Sequence, residues 1–182
     1  DRRHCNIRMN LTIRNGRVID PANGTDEIRD LFVSDGCVQD PPADIGHPGD
    51  LVLDATGLVV CPGLVDLQAR LREPGEEHKA TMLSELSAAV SAGVTSVCCP
   101  ADTEPVIDTP AMVHMVRQRA RQIERARVYP LGALTRDLAG ERLTDMAALA
   151  EAGCVGVSNA DRAVESTLVM RRAMQYASNF DL

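Results

Sequence analysis

The sequence predicts an α/β fold in which a small all-β unit precedes a series of strand-helix units. Short apolar runs separated by turn residues fill residues 9–60, whereas apolar strands alternate with helical periods from about residue 58 onward. Four strand-helix units in series imply a parallel sheet. The right-handed crossover rule leaves two architectures for it, an open doubly wound sheet or a barrel.

Composition excludes several classes of protein. The chain has 182 residues, of which 45% are hydrophobic and 25% charged, so it is neither disordered nor fibrous. A net charge of −7 and only two Tyr and two Phe argue against a nucleic-acid partner. No apolar run approaches the roughly 18 residues of a membrane span, and no signal-peptide core follows the first residues. We therefore expect a cytoplasmic protein with neither nucleic-acid nor membrane partners.

Turn chemistry marks the strand ends of the small β unit. The Asn15-Gly16 pair lies between two apolar runs, Leu11–Ile13 and Arg17–Ile19, and predicts a β-hairpin. The other expected features are turns at 21–24 and 35–36, strands at 31–33 and 51–53, and a loose loop at 41–49.

Strands and helices alternate in the rest of the chain. Asp108-Thr109-Pro110 supplies a cap and a first-turn proline for one helix, and Thr144 caps a short helix that Gly153 ends. The longer helix should bury a stripe made of Met112, Val116, Ala120 and Ile123. Strands are predicted at 59–67, 94–99, 127–131 and 154–157, and helices near 77–92, 110–126, 145–152 and 163–178.

Two kinds of site are disfavoured by what the sequence lacks. No GxGxxG or GxxxxGK[ST] motif is present, which argues against a nucleotide-binding sheet. The six cysteines (5, 37, 61, 98, 99 and 154) form no CxxC pair, and we expect free, buried thiols. The four histidines (4, 47, 78 and 114) fall outside strand ends, so we expect them at the surface.

The segment from Pro62 to Gly75, PGLVDLQARLREPG, resembles the PGxxDxHxHxREPG motif of the dihydroorotase branch of the amidohydrolase superfamily. Similar matches are NGRVIDP at 15–21, DATG at 54–57, PVIDTP at 105–110 and GALT at 132–135. The resemblance covers residues 9–182 and implies a small β-sandwich domain at 1–60. Residues 61–182 would then form the first four units of a (β/α)₈ TIM barrel of amidohydrolase type. Since a complete barrel takes roughly 250 residues, we expect the chain to be an N-terminal fragment.

The resemblance also implies a zinc site, and its ligand positions are altered here. The HxH histidines are replaced by Gln68 and Arg70, and an aspartate that follows the fourth strand is replaced by Asn159, with Asp161 displaced by two residues. A glutamine amide is a poor ligand, and a guanidinium offers no lone pair. The only lysine, Lys79, lies away from the later strand ends. We expect no metal, no cofactor and no catalytic residue, with Arg70 occupying the site.

The substrate clamp implied by the resemblance is partly retained. Arg72 matches an arginine that pairs with the substrate carboxylate. Asp102 lies nearest to the position of an asparagine of the clamp, where an anion would repel such a ligand. We expect Arg72 and Asp102 to be vestigial substrate-binding residues. An equal alternative is that Arg72 forms a structural ion pair with Glu73 or Glu76.

One helix and its flank are rich in arginine, which suggests two alternatives. The face could dock an acidic partner, or it could be the solvated outer surface of a barrel helix. Its arginines are residues 117, 119, 121, 125 and 127.

Within the family, the resemblance is closest to members that lack HxH. These are non-catalytic and form a hetero-oligomer with the catalytic chain of aspartate carbamoyltransferase in pyrimidine biosynthesis. The resemblance thus implies a catalytically inactive partner of aspartate carbamoyltransferase, and two alternatives to this expectation remain open. One is an active cyclic amidohydrolase of dihydroorotase, hydantoinase or allantoinase type with an atypical metal site, and the other is a decayed product with no independent role.

Overall fold

The computed structural model describes residues 10–40 and 51–182. The chain divides into two units, with the boundary between Pro62 and Gly63. The predicted loop at 41–49 lies outside the described residues, as do Cys5, His4 and His47.

A five-stranded sheet makes up the first unit. Its central strand β1 pairs antiparallel with β2 and parallel with β4 and β5, while β3 pairs antiparallel with β2. The strands are β1 (Leu11–Asp20), β2 (Thr25–Ser34), β3 (Cys37–Gln39), β4 (Leu51–Asp54) and β5 (Val59–Val60). The predicted turns at 21–24 and 35–36 are confirmed, because they connect β1 to β2 and β2 to β3.

The hairpin predicted at Asn15-Gly16 is wrong, because β1 continues through this pair. The register of β1 against β2 shifts between Ile13 and Gly16, which is a β-bulge. Asn15 has φ of +60° there, and its N–H donates to Asp30 Oδ1 at 2.9 Å. An Asn-Gly pair suits any backbone site that needs a positive φ, whether a tight turn or a bulge, so the dipeptide alone does not separate the two.

Cross-strand register places aliphatic side chains on one face of this sheet. Leu11 lies opposite both Val33 and Leu51, and Ile13 lies opposite both Leu31 and Leu53. Residues directly opposite each other in a sheet point to the same side. Leu51 and Leu53 remain 43% and 46% exposed. The described residues of this unit form a single sheet, and the second layer of a β-sandwich stays a prediction.

The second unit alternates strands and helices, as predicted. Strands β6 (Leu64–Asp66), β7 (Val94–Cys99) and β8 (Arg127–Pro130) form a parallel sheet in that order, and β9 (Gly132–Ala133) pairs in parallel with β10 (Val157–Ser158). The helices are α1 (Met82–Ser91), α2 (Pro110–Ile123), α3 (Met146–Ala152) and α4 (Thr167–Ala177). The chain is thus a mixed α/β fold.

Helices α1, α2 and α3 bury their apolar stripes in one core. Its fully buried side chains include Leu86 of α1, Val97 of β7, Val116 of α2 and Leu149 of α3. The predicted stripe of α2 is confirmed: Val116 and Ala120 are buried, and Met112 and Ile123 pack against the same cluster. No helix in the described ranges has the length and apolar character needed to cross a membrane.

Capping contacts correct the predicted starts of α1 and α3. Helix α1 begins at Met82 and not near 77, because Thr81 and Ser84 form a capping box at that point. Helix α3 is capped by Asp145, whose carboxylate accepts from Ala148 N at 3.1 Å. Thr144 is buried instead, and its hydroxyl donates to Ala133 O at 2.6 Å. Gly153, with φ of +102°, ends α3 as predicted.

The last strand and helix are shorter than predicted. The strand expected at 154–157 is limited to β10, because the N–H of Cys154 still bonds back to Leu149 O of α3. Helix α4 starts at Thr167 and not near 163, since Ser166 caps it by accepting from Val169 N.

Burial of the cysteines is confirmed for three of the five described. Cys98, Cys99 and Cys154 are buried free thiols, and burial raises the pKa of Cys99 to about 12 and that of Cys154 to about 11. The prediction is wrong for Cys37 and Cys61, which are exposed. Cys37 lies on the edge strand β3, and Cys61 follows the two-residue strand β5, so neither position is covered.

Candidate functional site

The candidate site lies just beyond the carboxyl ends of three strands of the second unit. Arg70 follows β6, Asp102 follows β7 and Asp161 follows β10. Carboxyl ends of parallel strands with helical connections are where α/β folds place ligand-binding residues. We call this cluster of Arg70, Asp102 and Asp161 the mouth.

Arg70 joins the two carboxylates of the mouth. Its Nε donates to Asp102 Oδ2 at 2.7 Å, and its Nη2 donates to Asp161 Oδ2. The side chains of Arg70 and Asp102 are 32% and 27% exposed, whereas that of Asp161 is 74% exposed. The hydrogen bond and charge of Asp102, and then those of Asp161, raise the pKa of the Arg70 guanidinium above its ordinary value. A permanent cation is therefore fixed at the mouth.

The ligand positions implied by the sequence resemblance do not fit zinc. Gln68 is exposed and offers only an amide, and Arg70 has no lone pair to donate. Within residues 10–40 and 51–182, no group of three or more His, Cys, Asp or Glu side chains is arranged to hold a metal ion. Zinc needs deprotonated or neutral donor atoms, and the mouth presents a guanidinium instead.

Asn159 is held by hydrogen bonds within the fold. It is buried, and its Oδ1 accepts from the hydroxyl of Thr135 at 2.6 Å. Its Nδ2 donates to the carbonyls of Leu138 at 3.3 Å and Arg162 at 3.0 Å. Both ends of the amide are thus occupied by protein groups, and the residue fixes the turn that follows β10.

Arg72 forms the ion pair that was one of its two predicted roles. Its Nη1 donates to Glu76 Oε2 at 2.7 Å, and Glu76 also accepts from Lys79 Nζ. Together these bonds, that of Lys79 foremost, lower the pKa of Glu76 from 4.5 to about 2. Arg72 and Asp102 both line a small depression at the mouth, yet each forms its ion pair with a different partner.

Glu73 and Asp161 have partners that the sequence did not predict. Glu73 accepts hydrogen bonds from Arg119 Nε at 2.7 Å and from Met82 N at 2.9 Å. These two bonds connect the loop after β6 to α2 and to the start of α1. Asp161 was read only as a displaced ligand. One sequence feature could have indicated the Arg70–Asp161 contact. An arginine follows one predicted strand, and a carboxylate with no assigned partner follows another.

Several arginines on α2 and its flank are used inside the fold. Arg117 Nη1 donates to Ala152 O at 2.6 Å, and Arg119 pairs with Glu73. Arg125 donates to the carbonyl of the neighbouring Glu124 at 3.3 Å. These three arginines thus have contacts within the chain, and both alternatives for this face, docking and a solvated outer surface, stay predictions. His78 and His114 are exposed, as expected.

With this geometry in place, comparison with known proteins identifies the family. The family model described as Dihydro-orotase-like matches residues 57–182. The chain belongs to the Dihydro-orotase-like family. The matched residues include Arg70, Asp102 and Asp161 of the mouth.

Curated relatives of this Dihydro-orotase-like chain match almost all of it. A "Dihydroorotase-like protein" of Pseudomonas aeruginosa is 46% identical over 96% of this chain and 41% of its own length. A "Dihydroorotase" of Solibacter usitatus is 42% identical over 96% of this chain and 40% of its own length. The chain thus spans about two fifths of the length of the curated relatives it matches.

Solved structures show the same fold. The L-hydantoinase (dihydropyrimidinase) from Arthrobacter aurescens superposes with a TM-score of 0.72 at 20% identity, covering 93% of this chain and 38% of that one. A crystal structure of a dihydroorotase gives a TM-score of 0.62 at 14% identity, covering 95% of this chain and 49% of that one. The Dihydro-orotase-like chain therefore shares its fold with a hydantoinase and a dihydroorotase.

Proposed function

We propose that this chain is part of a catalytically inactive, dihydroorotase-like protein of pyrimidine biosynthesis. In this proposal it acts as a structural partner of the catalytic chain of aspartate carbamoyltransferase, in a hetero-oligomer. The observation that carries the proposal is Arg70, which lies at a ligand position and is bound by Asp102 and Asp161. A metal-activated water would need that position, and a fixed guanidinium there repels a divalent cation.

Two further observations support loss of catalysis. Asn159 has both ends of its amide bonded within the protein, so it cannot act as a ligand without breaking buried hydrogen bonds. Arg72 is paired with Glu76 in its own loop, so a substrate carboxylate would have to compete with a protein carboxylate. Under the proposal, Arg72 and Asp102 remain as vestiges of a substrate clamp.

The test uses the full-length protein, purified with and without co-expressed aspartate carbamoyltransferase. We expect substoichiometric zinc by elemental analysis, no ring closure of carbamoyl aspartate to dihydroorotate, and co-elution with the transferase. Zinc at one or more equivalents together with ring closure would contradict the inactive assignment. Separate elution of the two proteins at micromolar concentration would contradict the partner role.

An active cyclic amidohydrolase with an atypical metal site is the second candidate. It is favoured by relatives named "Dihydroorotase" that are 40–45% identical to this chain, such as that of Pelobacter propionicus at 45%. If it is correct, Arg72→Met should reduce turnover by weakening the hold on the substrate carboxylate. Turnover that is unchanged in Arg72→Met would argue against this candidate.

The whole-protein architecture forms part of the proposal. We expect the parallel strands β6 to β10 to be the first half of a (β/α)₈ barrel and the five-stranded sheet to be one layer of a β-sandwich, in a cytoplasmic protein. The aliphatic face of that sheet, with Leu51 and Leu53 nearly half exposed, supports a second covering layer, because an apolar sheet face is stable only when it is packed.

A further inference from the structure

Three strand ends are joined at the mouth by one side chain. Asp102 lies 32 residues after Arg70 in the sequence, and Asp161 lies 91 residues after it. Each of the three residues follows a different strand, namely β6, β7 and β10. The guanidinium therefore makes contacts that neither local turn geometry nor helix spacing brings about.

Electrostatics makes the guanidinium necessary to this arrangement. Asp102 and Asp161 bond to two nitrogens of the same guanidinium, so without Arg70 the two carboxylates would lose the cation that lies between them. Like charges that share a site repel each other. An arginine side chain remains charged at all physiological pH values, and its planar fork suits two carboxylates at once.

We propose that Arg70 is the fixed internal cation of the mouth, which holds the ends of β6, β7 and β10 together through Asp102 and Asp161. The side chain thus replaces a divalent cation as the positive charge of this site. A divalent cation could bind between the two carboxylates only if the guanidinium were removed. This inference concerns what holds the strand ends, so it does not depend on any partner or on the loss of catalysis.

Arg72 provides a matched control for Arg70. It lies in the same loop, and its side chain is 35% exposed against 32% for Arg70. Its ion pair is with Glu76, four residues away, and therefore local. Replacing Arg72 removes the same charge from the same region without releasing Asp102 or Asp161.

The experiment compares the intact wild-type protein with Arg70→Ala, Arg72→Ala and Arg70→Ala/Asp161→Asn by thermal unfolding during a Mn²⁺ titration. Mn²⁺ is the probe because carboxylate oxygens and water suit it. We expect Arg70→Ala to lower Tm by roughly 1–4 °C, since the ion pairs that it removes are partly exposed to solvent. Added Mn²⁺ should restore most of that loss in Arg70→Ala, and should leave Tm of the wild type, of Arg72→Ala and of the double variant unchanged.

Solubility provides a second readout if Arg70→Ala folds poorly. In that case Mn²⁺ in the growth medium should increase the yield of soluble Arg70→Ala, while Arg70→Lys, which keeps the charge, should be soluble without it. The proposal is overturned if Mn²⁺ changes neither Tm nor the soluble yield of Arg70→Ala. An equal response to Mn²⁺ in the double variant would also overturn it, because the ion would then bind elsewhere.

Discussion

Asn159, at a position where the resemblance implies a metal ligand, is part of the hydrogen-bonded structure. Its amide donates to two carbonyls and accepts from Thr135, which a carboxylate could not do, since a carboxylate has no proton to donate. The amide is therefore suited to holding the turn after β10. Asn159→Asp would place a charge among carbonyl oxygens and break this arrangement.

Glu76 should make stability depend on acid pH. Arg72 and Lys79 lower the pKa of its carboxyl from 4.5 to about 2, so the stabilisation is complete above about pH 4.5 and is lost as the pH falls towards 2. We expect Glu76→Gln to have a lower Tm than the wild type at pH 6, and the difference should shrink as the pH falls through this window.

Thermal unfolding between pH 6 and pH 2 measures this effect. Glu151→Gln, which alters an exposed glutamate on α3, is the matched control and should follow the wild type. A difference between Glu76→Gln and the wild type that stays constant across the whole range would contradict the assigned ion pairs.

The ion pairs of the two arginines differ in how far the sequence could predict them. Glu76 lies four residues after Arg72, a spacing short enough for local contact, and it was one of the two partners considered. The partners of Arg70 are 32 and 91 residues away, so only the folded arrangement of β6, β7 and β10 brings them together. Residue type alone indicates that Arg70 has no lone pair to offer a metal, but not which carboxylates hold it.

At the level of elements, the bulge in β1 depends on a close approach to β5. A Cβ added to Gly16 would lie 2.7 Å from Val60 Cγ2 and 3.1 Å from Ala55 Cβ, which is too close for van der Waals contact with the first. A side chain at position 16 would therefore not fit beside Val60. The neighbouring Asn15 contributes separately to the bulge through its positive φ.

Gly16→Ala should destabilise the first unit by about 1–3 kcal/mol, the usual cost of overpacking. Val60→Ala removes the clashing methyl, so the double variant Gly16→Ala/Val60→Ala should lose less than the sum of the two single variants. Urea unfolding of the four proteins gives the coupling energy. Strictly additive losses would show that Val60 is not what limits residue 16.

The sequence predicted helices correctly where apolar residues recur at helical spacing over several turns, and it misplaced the ends of helices. Helix α2 has four apolar positions at helical spacing, and its buried stripe was predicted correctly. The start of α3 was misplaced by one residue because Thr144 and Asp145 are both residue types that cap helices. The structure uses Asp145 as the cap, since the Thr144 hydroxyl donates to the carbonyl of Ala133, which lies on β9.

At the scale of the whole chain, β6 is an edge strand of its sheet among the residues that the structure describes. Its apolar side chains Leu64 and Val65 are 58% and 60% exposed, and in the described part of the chain β6 pairs only with β7. Exposed apolar edge strands promote association between molecules. We expect the 182-residue chain, expressed by itself, to self-associate as its concentration rises.

Val65→Lys should reduce this association, because a charged side chain on an edge strand opposes strand addition. Light scattering coupled to size exclusion, over a range of concentrations, measures the effect. Met174→Lys is the control, since Met174 is 67% exposed but lies on helix α4 and not on a strand edge. Equal suppression by both variants would attribute association to general hydrophobicity and not to the β6 edge.

Gly153 links the end of one helix to the position of another. Its φ of +102° ends α3, and a side chain at this position would collide with the Arg117 guanidinium, which donates to Ala152 O. The absence of a side chain therefore lets an arginine of α2 neutralise the negative end of the α3 dipole. A substitution at 153 should therefore displace this guanidinium and weaken a contact between α2 and α3, in addition to straining a backbone with positive φ.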